Sequence, residues 1–194
     1  HLLCNNAGVG GAARKLQDER AEDWDWVLSV NVIGVVNGLL AFLPLIKEHG
    51  EGGHVLNTGS MNGLRRRAGL QQGIYTASKF AVTGLSEALR QDLAPHGIGV
   101  SLLCPGPVNT RVGESGRNRP ARHGGPFTRP ADHPLARPAS GGLDADAVGR
   151  RARLGVETDE FYIITHPGSR DAVEARSDAV LAAFDHARRL AFFD

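Results

Sequence analysis

Four short apolar runs, at residues 2–5, 54–58, 98–104 and 161–164, are separated by segments long enough to hold helices. Strands spaced this way cannot close into two-residue hairpins. They must pair in parallel, each joined to the next by a right-handed crossover. Helical patterns fall at 23–49, 75–93, 144–154 and 169–190. This alternation predicts an α/β protein: a doubly wound parallel sheet with helices on its faces. No internal repeat or linker interrupts it, so residues 1–194 read as part of one domain.

The long pattern at 23–49 carries Val27, Leu28, Val30, Ile33, Val35, Val36, Leu39, Leu40, Phe42, Leu43, Leu45 and Ile46. These positions pass round the helix instead of forming one stripe, which predicts cover on several sides. The sheet supplies one cover. The rest of the chain, or a second copy in a homodimer or homotetramer, supplies the other.

A formal net charge of +1 gives no footprint for a polyanion, so nucleic acid is not an expected partner. No uninterrupted apolar run approaches the roughly 20 residues that span a bilayer, and no membrane partner is expected. No secretory leader is visible and a cytoplasmic protein is expected. Cys4 and Cys104 lie in apolar runs and read as buried, unpaired thiols. The eight histidines show no metal-ligand spacing. The opening His1-Leu2-Leu3-Cys4 reads as a buried strand without a lead-in, as in a piece of a longer protein.

Periodicity collapses at 111–142, a stretch rich in arginine, proline and glycine. A long irregular loop inside a compact domain reads as a substrate lid. Its histidines, His123 and His133, read as solvent-exposed.

Chemistry concentrates in Tyr75-Thr76-Ala77-Ser78-Lys79. Residues four apart share one face of a helix. An ammonium there favours the phenolate form of the tyrosine and so lowers its pKa. Ser60, at a strand end, can hydrogen-bond a carbonyl or alcohol oxygen. Such groups move a proton on or off a C–O unit, the partner step of hydride transfer.

The segments Asn5-Asn6-Ala7-Gly8, Asn31-Val32-Ile33-Gly34, Asn57-Thr58-Gly59-Ser60, Tyr75-Thr76-Ala77-Ser78-Lys79 and Cys104-Pro105-Gly106-Pro107-Val108-Asn109-Thr110 follow one another at strand–helix junctions. Over residues 1–110 this resembles the short-chain dehydrogenases/reductases. The resemblance implies a Rossmann-like fold and a secondary alcohol/ketone oxidoreductase using NAD or NADP. It makes Tyr75 the general acid/base and Ser60 the group that orients the small-molecule alcohol or ketone. Lys79 would hold the nicotinamide ribose and tune Tyr75, and Asn31 would hold a relay water. Asn6, Ala7 and Gly8 would line the adenosine side of the cofactor. Pro105, Gly106, Val108 and Thr110 would bracket the nicotinamide.

In that family a glycine-rich strand–turn–helix precedes the Asn-Asn-Ala-Gly segment. This sequence contains none, so the chain is expected to lack the first βαβ units and to be the carboxy-terminal part of the domain. The alternative is a truncated, non-catalytic fragment or pseudoenzyme that serves as a dimerising or binding module.

Overall fold

A computed structural model of the chain describes residues 1–66, 69, 71–129 and 141–190. Strands β1 (Leu2–Asn5), β2 (Gly53–Thr58), β3 (Ile98–Cys104) and β4 (Tyr162–Ile164) form one sheet in the order β1-β2-β3-β4, every neighbouring pair parallel. The helices are α1 (Ala21–Leu28), α2 (Gly34–Glu48), α3 (Gly73–Leu93), α4 (Ala145–Glu157) and α5 (Arg170–Arg189). Each strand and helix lies within a few residues of its expected position.

Strand side chains alternate between faces. Leu3, Val55 and Val100 pack with Ile46 of α2 and Leu93 of α3, and further along Leu102 and Cys104 meet Val35 and Val82. Leu103 and Ile163 point the other way, onto Val148 and Ala152 of α4. A Cβ on Gly155 would come within 2.4 Å of Ile163, so this glycine lets α4 settle on β4. The sheet is therefore covered on both faces, the doubly wound Rossmann-like arrangement.

Cys104 is buried as expected, but Cys4 is exposed, and both are free thiols. On β1 Leu3 and Asn5 face α2; Leu2 and Cys4 project to the opposite face, where α4 packs on β3 and β4.

The expected helix at 23–49 is not one α-helix. A five-residue π-helical turn, Ser29–Ile33, joins α1 to α2. Read as one element, Ala21–Glu48 runs for 28 residues with a mean hydropathy of 2.0 over its most apolar window, long and apolar enough by length and composition to cross a membrane. The breaks at Asn31, Asn37 and Pro44, which divide the apolar run in sequence, lie within one continuous helix, and the core helix of a soluble protein passes the same test of length and composition. Val35 and Ile46 pack on the sheet, whereas Ile33, Leu40, Phe42 and Leu45 are exposed.

The described part of the expected lid, 111–129, lies against α1. It forms 3-10 turns at Arg111–Asn118 and Ala121–His123. Arg119 donates to Asp23 Oδ1 at 2.6 Å and its guanidinium sits 5.6 Å from the ring centres of both Trp26 and Phe127. Asp23 is fully buried and also accepts from Arg14 Nη1 at 2.6 Å. His123 is buried with Nδ1 2.9 Å from Asp25, against the expectation of solvent exposure. His133 and the rest of the loop, 130–140, lie outside the described residues.

Candidate active site

Parallel strands of this kind present their carboxyl ends to ligands. Here those ends carry the expected groups. Ser60 follows β2 and caps the short turn Met61–Gly63, its Oγ accepting the Asn62 N–H at 3.1 Å. The same Oγ donates to the Pro105 carbonyl at 3.5 Å, and Met61 N–H reaches that carbonyl at 2.9 Å. The end of β2 is thereby tied to the turn after β3.

Helix α3 starts at Gly73, which places Tyr75 and Lys79 in its first two turns. Burial pushes the Tyr75 phenol above the ordinary tyrosine value, and the Ser60 hydroxyl acts in the opposite direction. The Lys79 ammonium donates to the Thr58 carbonyl at 2.7 Å and stands 5.8 Å from the Tyr75 ring centre. Burial pulls Lys79 down to about 8. Nearby Cys104 is pushed up to about 12 by its own burial, so at neutral pH it is an uncharged thiol and gives Lys79 no counter-charge. In this arrangement desolvation acts on both groups and opposes both charged forms, so the Tyr75 phenol stands above its ordinary value and Lys79 below its own.

Asn31 sits inside the π-helical turn and is fully buried. Its Oδ1 accepts from Val9 N–H at 2.8 Å, while Nδ2 donates to Val9 C=O at 3.0 Å and to Ser78 Oγ at 2.9 Å. Ser78 in turn donates to Tyr75 C=O at 2.7 Å. Both amide donors are committed, leaving the second lone pair of Oδ1 for a water. A Cβ on Gly8 would lie 3.5 Å from Asn31 Oδ1 and 3.7 Å from Lys79 Nζ, so a bare backbone separates the two.

Asn6 and Ala7 are exposed at the mouth of the site, with Asn6 Oδ1 accepting from Thr58 Oγ1 at 2.9 Å. Pro105 and Gly106 open the turn after β3. Val108 pairs with Leu143, and Thr110 caps the Arg111–Asn118 turn by accepting the Val112 N–H at 3.5 Å. One Lys79 N–H is spent on Thr58, which leaves two for a pair of vicinal hydroxyls. This donor set fits the ribose of the nicotinamide portion of a dinucleotide, and the open shelf of Asn6, Ala7 and Gly8 fits its adenosine side.

Three features were not read from the sequence. One is the π-helical turn, which leaves no mark in a hydrophobic pattern. Another is Asn62, whose Nδ2 donates to Gln72 Oε1 at 3.0 Å and steadies the entry to α3. The third is His166, beyond β4, which reaches Gly106. Away from the site, His1, His49 and Glu51 bring ligand atoms within 4.8 Å of one another at the surface. His1 pairs with Glu51 at 3.1 Å and His49 Nδ1 accepts the Glu51 N–H at 3.1 Å, which accounts for their proximity without an ion.

A parallel sheet covered on both faces, with a serine, a tyrosine and a lysine gathered at its carboxyl edge, defines an α/β protein of the Rossmann-like class. The sequence pattern of the family described as short chain dehydrogenase matches residues 1–120, and the chain belongs to this family of oxidoreductases. It is 32% identical over 183 residues to the C alpha-dehydrogenase of Sphingobium sp. (strain NBRC 103272 / SYK-6), an alignment covering 93% of this chain and 59% of that protein. It is 37% identical over 115 residues to a diacetyl reductase [(S)-acetoin forming] of Staphylococcus aureus (strain Mu50 / ATCC 700699), covering 59% and 43%. A short chain dehydrogenase/reductase of Burkholderia phymatum, solved in complex with NAD, superposes with a TM-score of 0.83 at 37% identity over 94% of this chain and 67% of that one. The chain thus spans less than two thirds of the length of the curated relatives it matches.

Proposed function

We propose that the whole protein interconverts a secondary alcohol and a ketone by hydride transfer with NAD or NADP. The observation that carries this reading is the gathering of Ser60, Tyr75 and Lys79 at the carboxyl ends of the strands, with the Lys79 ammonium 5.8 Å from the Tyr75 ring. When bound, the nicotinamide cofactor supplies or accepts the hydride at the carbinol carbon. In the reducing direction Ser60 Oγ donates a hydrogen bond to the carbonyl oxygen, and Tyr75 Oη transfers its proton to that oxygen as the C–O bond becomes single. The raised pKa of Tyr75 keeps it protonated and suits it to the acid role. Lys79 holds the ribose hydroxyls and, in its charged form, stabilises the phenolate left behind. Asn31 holds the water through which Tyr75 is reprotonated.

Asn6, Ala7 and Gly8 take the adenosine side of the cofactor, and Pro105, Gly106, Val108 and Thr110 take the nicotinamide side. The segment 111–142 acts as the substrate lid, secured to α1 through Arg119 and Asp23. The exposed Ile33 and Leu40 on the long helix favour cover by a second copy, in a homodimer or homotetramer. Two free cysteines fit the cytoplasm.

The test is a panel of secondary alcohols and ketones offered to the full-length protein with each cofactor, followed by nicotinamide absorbance. Turnover of at least one pair supports the reading. A well-folded protein that binds neither cofactor and turns over nothing supports the binding-module alternative, in which the chain only dimerises or binds.

A further inference from the structure

The turn after β3 is held from behind by a residue that no motif marks. His166 follows β4, and the pairing of Cys104 with Ile164 brings it beside Gly106. The approach is close: a Cβ on Gly106 would lie 2.6 Å from His166 Cγ, so only glycine admits the ring there. The Gly106 N–H donates to His166 Nδ1 at 3.0 Å, and Thr165 Oγ1 lies 2.7 Å from the same nitrogen. On the far side of the ring, Nε2 lies 3.1 Å from the Pro107 carbonyl. An Nδ1 that accepts leaves the proton on Nε2, which then donates to Pro107. The imidazole therefore bridges the N–H of Gly106 and the C=O of Pro107, two backbone groups that together define the tilt of the turn. The Pro107 carbonyl is also held by Leu143 N–H at 3.0 Å, so the bridge closes onto an already fixed point.

We propose that His166 is a positioning residue for the cofactor: it sets the angle of the Pro105-Gly106-Pro107-Val108 turn against the nicotinamide ring. The inference rests on the reading that this turn takes the nicotinamide half of NAD or NADP. Its consequence is selective. Loss of His166 weakens binding of the nicotinamide half and leaves the adenosine half, held at Asn6 to Gly8 in the loop after β1, as it was. A residue that only stabilised the fold would weaken both halves together.

The experiment measures, in the full-length protein, dissociation constants for NADH or NADPH and for ADP-ribose or its 2′-phosphate, which lack the nicotinamide. Wild type is compared with His166→Ala and His166→Asn; the asparagine Oδ1 can still accept from Gly106 N–H but its amide falls short of Pro107. The decisive quantity is the ratio of the two constants. For His166→Ala that ratio should rise about tenfold, the scale of losing one or two net hydrogen bonds. For His166→Asn it should rise about threefold, and the cofactor KM should increase more than kcat falls. A ratio unchanged in every variant that folds overturns the inference, and if the alanine variant does not fold, the asparagine variant decides. A wild-type protein that binds neither nicotinamide cofactor overturns the proposed function itself.

Discussion

Asn31 and Val9 form a closed two-way pair. The side-chain amide of one accepts the N–H and donates to the C=O of the other, at 2.8 and 3.0 Å, and both bonds are buried. This fastens the loop after β1 to the π-helical turn. Through Ser78 the same amide reaches the backbone of Tyr75. Asn31→Ala would orphan both peptide groups of Val9. At about 1–3 kcal/mol for each buried group left without a partner, the variant should lose about 2–6 kcal/mol of stability. A urea unfolding midpoint within error of wild type would contradict this.

Tyr75→Phe removes the phenol while keeping the ring. The full-length variant should fold normally and lose at least 10²-fold in kcat, the low end of what a positioned acid or base contributes. The measurement is steady-state turnover at saturating cofactor. Turnover within a few-fold of wild type would take Tyr75 out of the proton-transfer role.

Burial holds Lys79 at about 8, below its ordinary value of 10.5. Between these two values the unfolded chain keeps the proton that the folded chain has shed, so folding stability should rise with pH across that window. Activity should move oppositely, because stabilising a phenolate needs the ammonium. The kcat/KM for ketone reduction should fall as pH rises through about 8. In Lys79→Arg, whose guanidinium stays charged, that fall should vanish from the accessible range. A fall that persists in Lys79→Arg would assign it to another group.

Cys104 is fully buried with a thiol pushed up to about 12, and β2 lies between its strand and that of Cys4. Cys104 should resist alkylation in the native protein and react only after denaturation, and no disulfide should join it to Cys4. Peptide mass mapping after native labelling checks both points.

Asp23 accepts from two arginines with no access to solvent. Asp23→Ala leaves the Arg119 guanidinium buried without its counter-ion and should cost about 3–5 kcal/mol, with little dependence on salt. A destabilisation below about 1 kcal/mol would mean that the lid is not secured there.

The strands and helices were legible because each rests on local pattern: Val55, Val100 and Leu102 are apolar at the spacing of a buried strand, and Tyr75 and Lys79 share a helix face. The electrostatics of the site were not. Whether Lys79 lowers Tyr75 depends on how completely each is enclosed, and enclosure is a property of the packed chain. Arg119, Arg129 and His123 look like solvated loop residues in sequence, yet all three are buried. Their partners, such as Asp23 for Arg119 and Asp25 for His123, lie about a hundred residues away, beyond any local signal. Cys4 shows the converse: an apolar run was read as buried on both faces when only one face of β1 is packed.

The central claim is that hydride reaches the carbinol carbon while Tyr75 moves the proton. The most direct test runs the full-length protein with cofactor carrying deuterium on the reactive C4 of the dihydronicotinamide and a ketone it accepts. Mass spectrometry then locates the label. The account predicts one deuterium on the carbinol carbon of the alcohol, in a yield that collapses in Tyr75→Phe. An alcohol product without the label on that carbon, or one formed as fast by the phenylalanine variant, would contradict it.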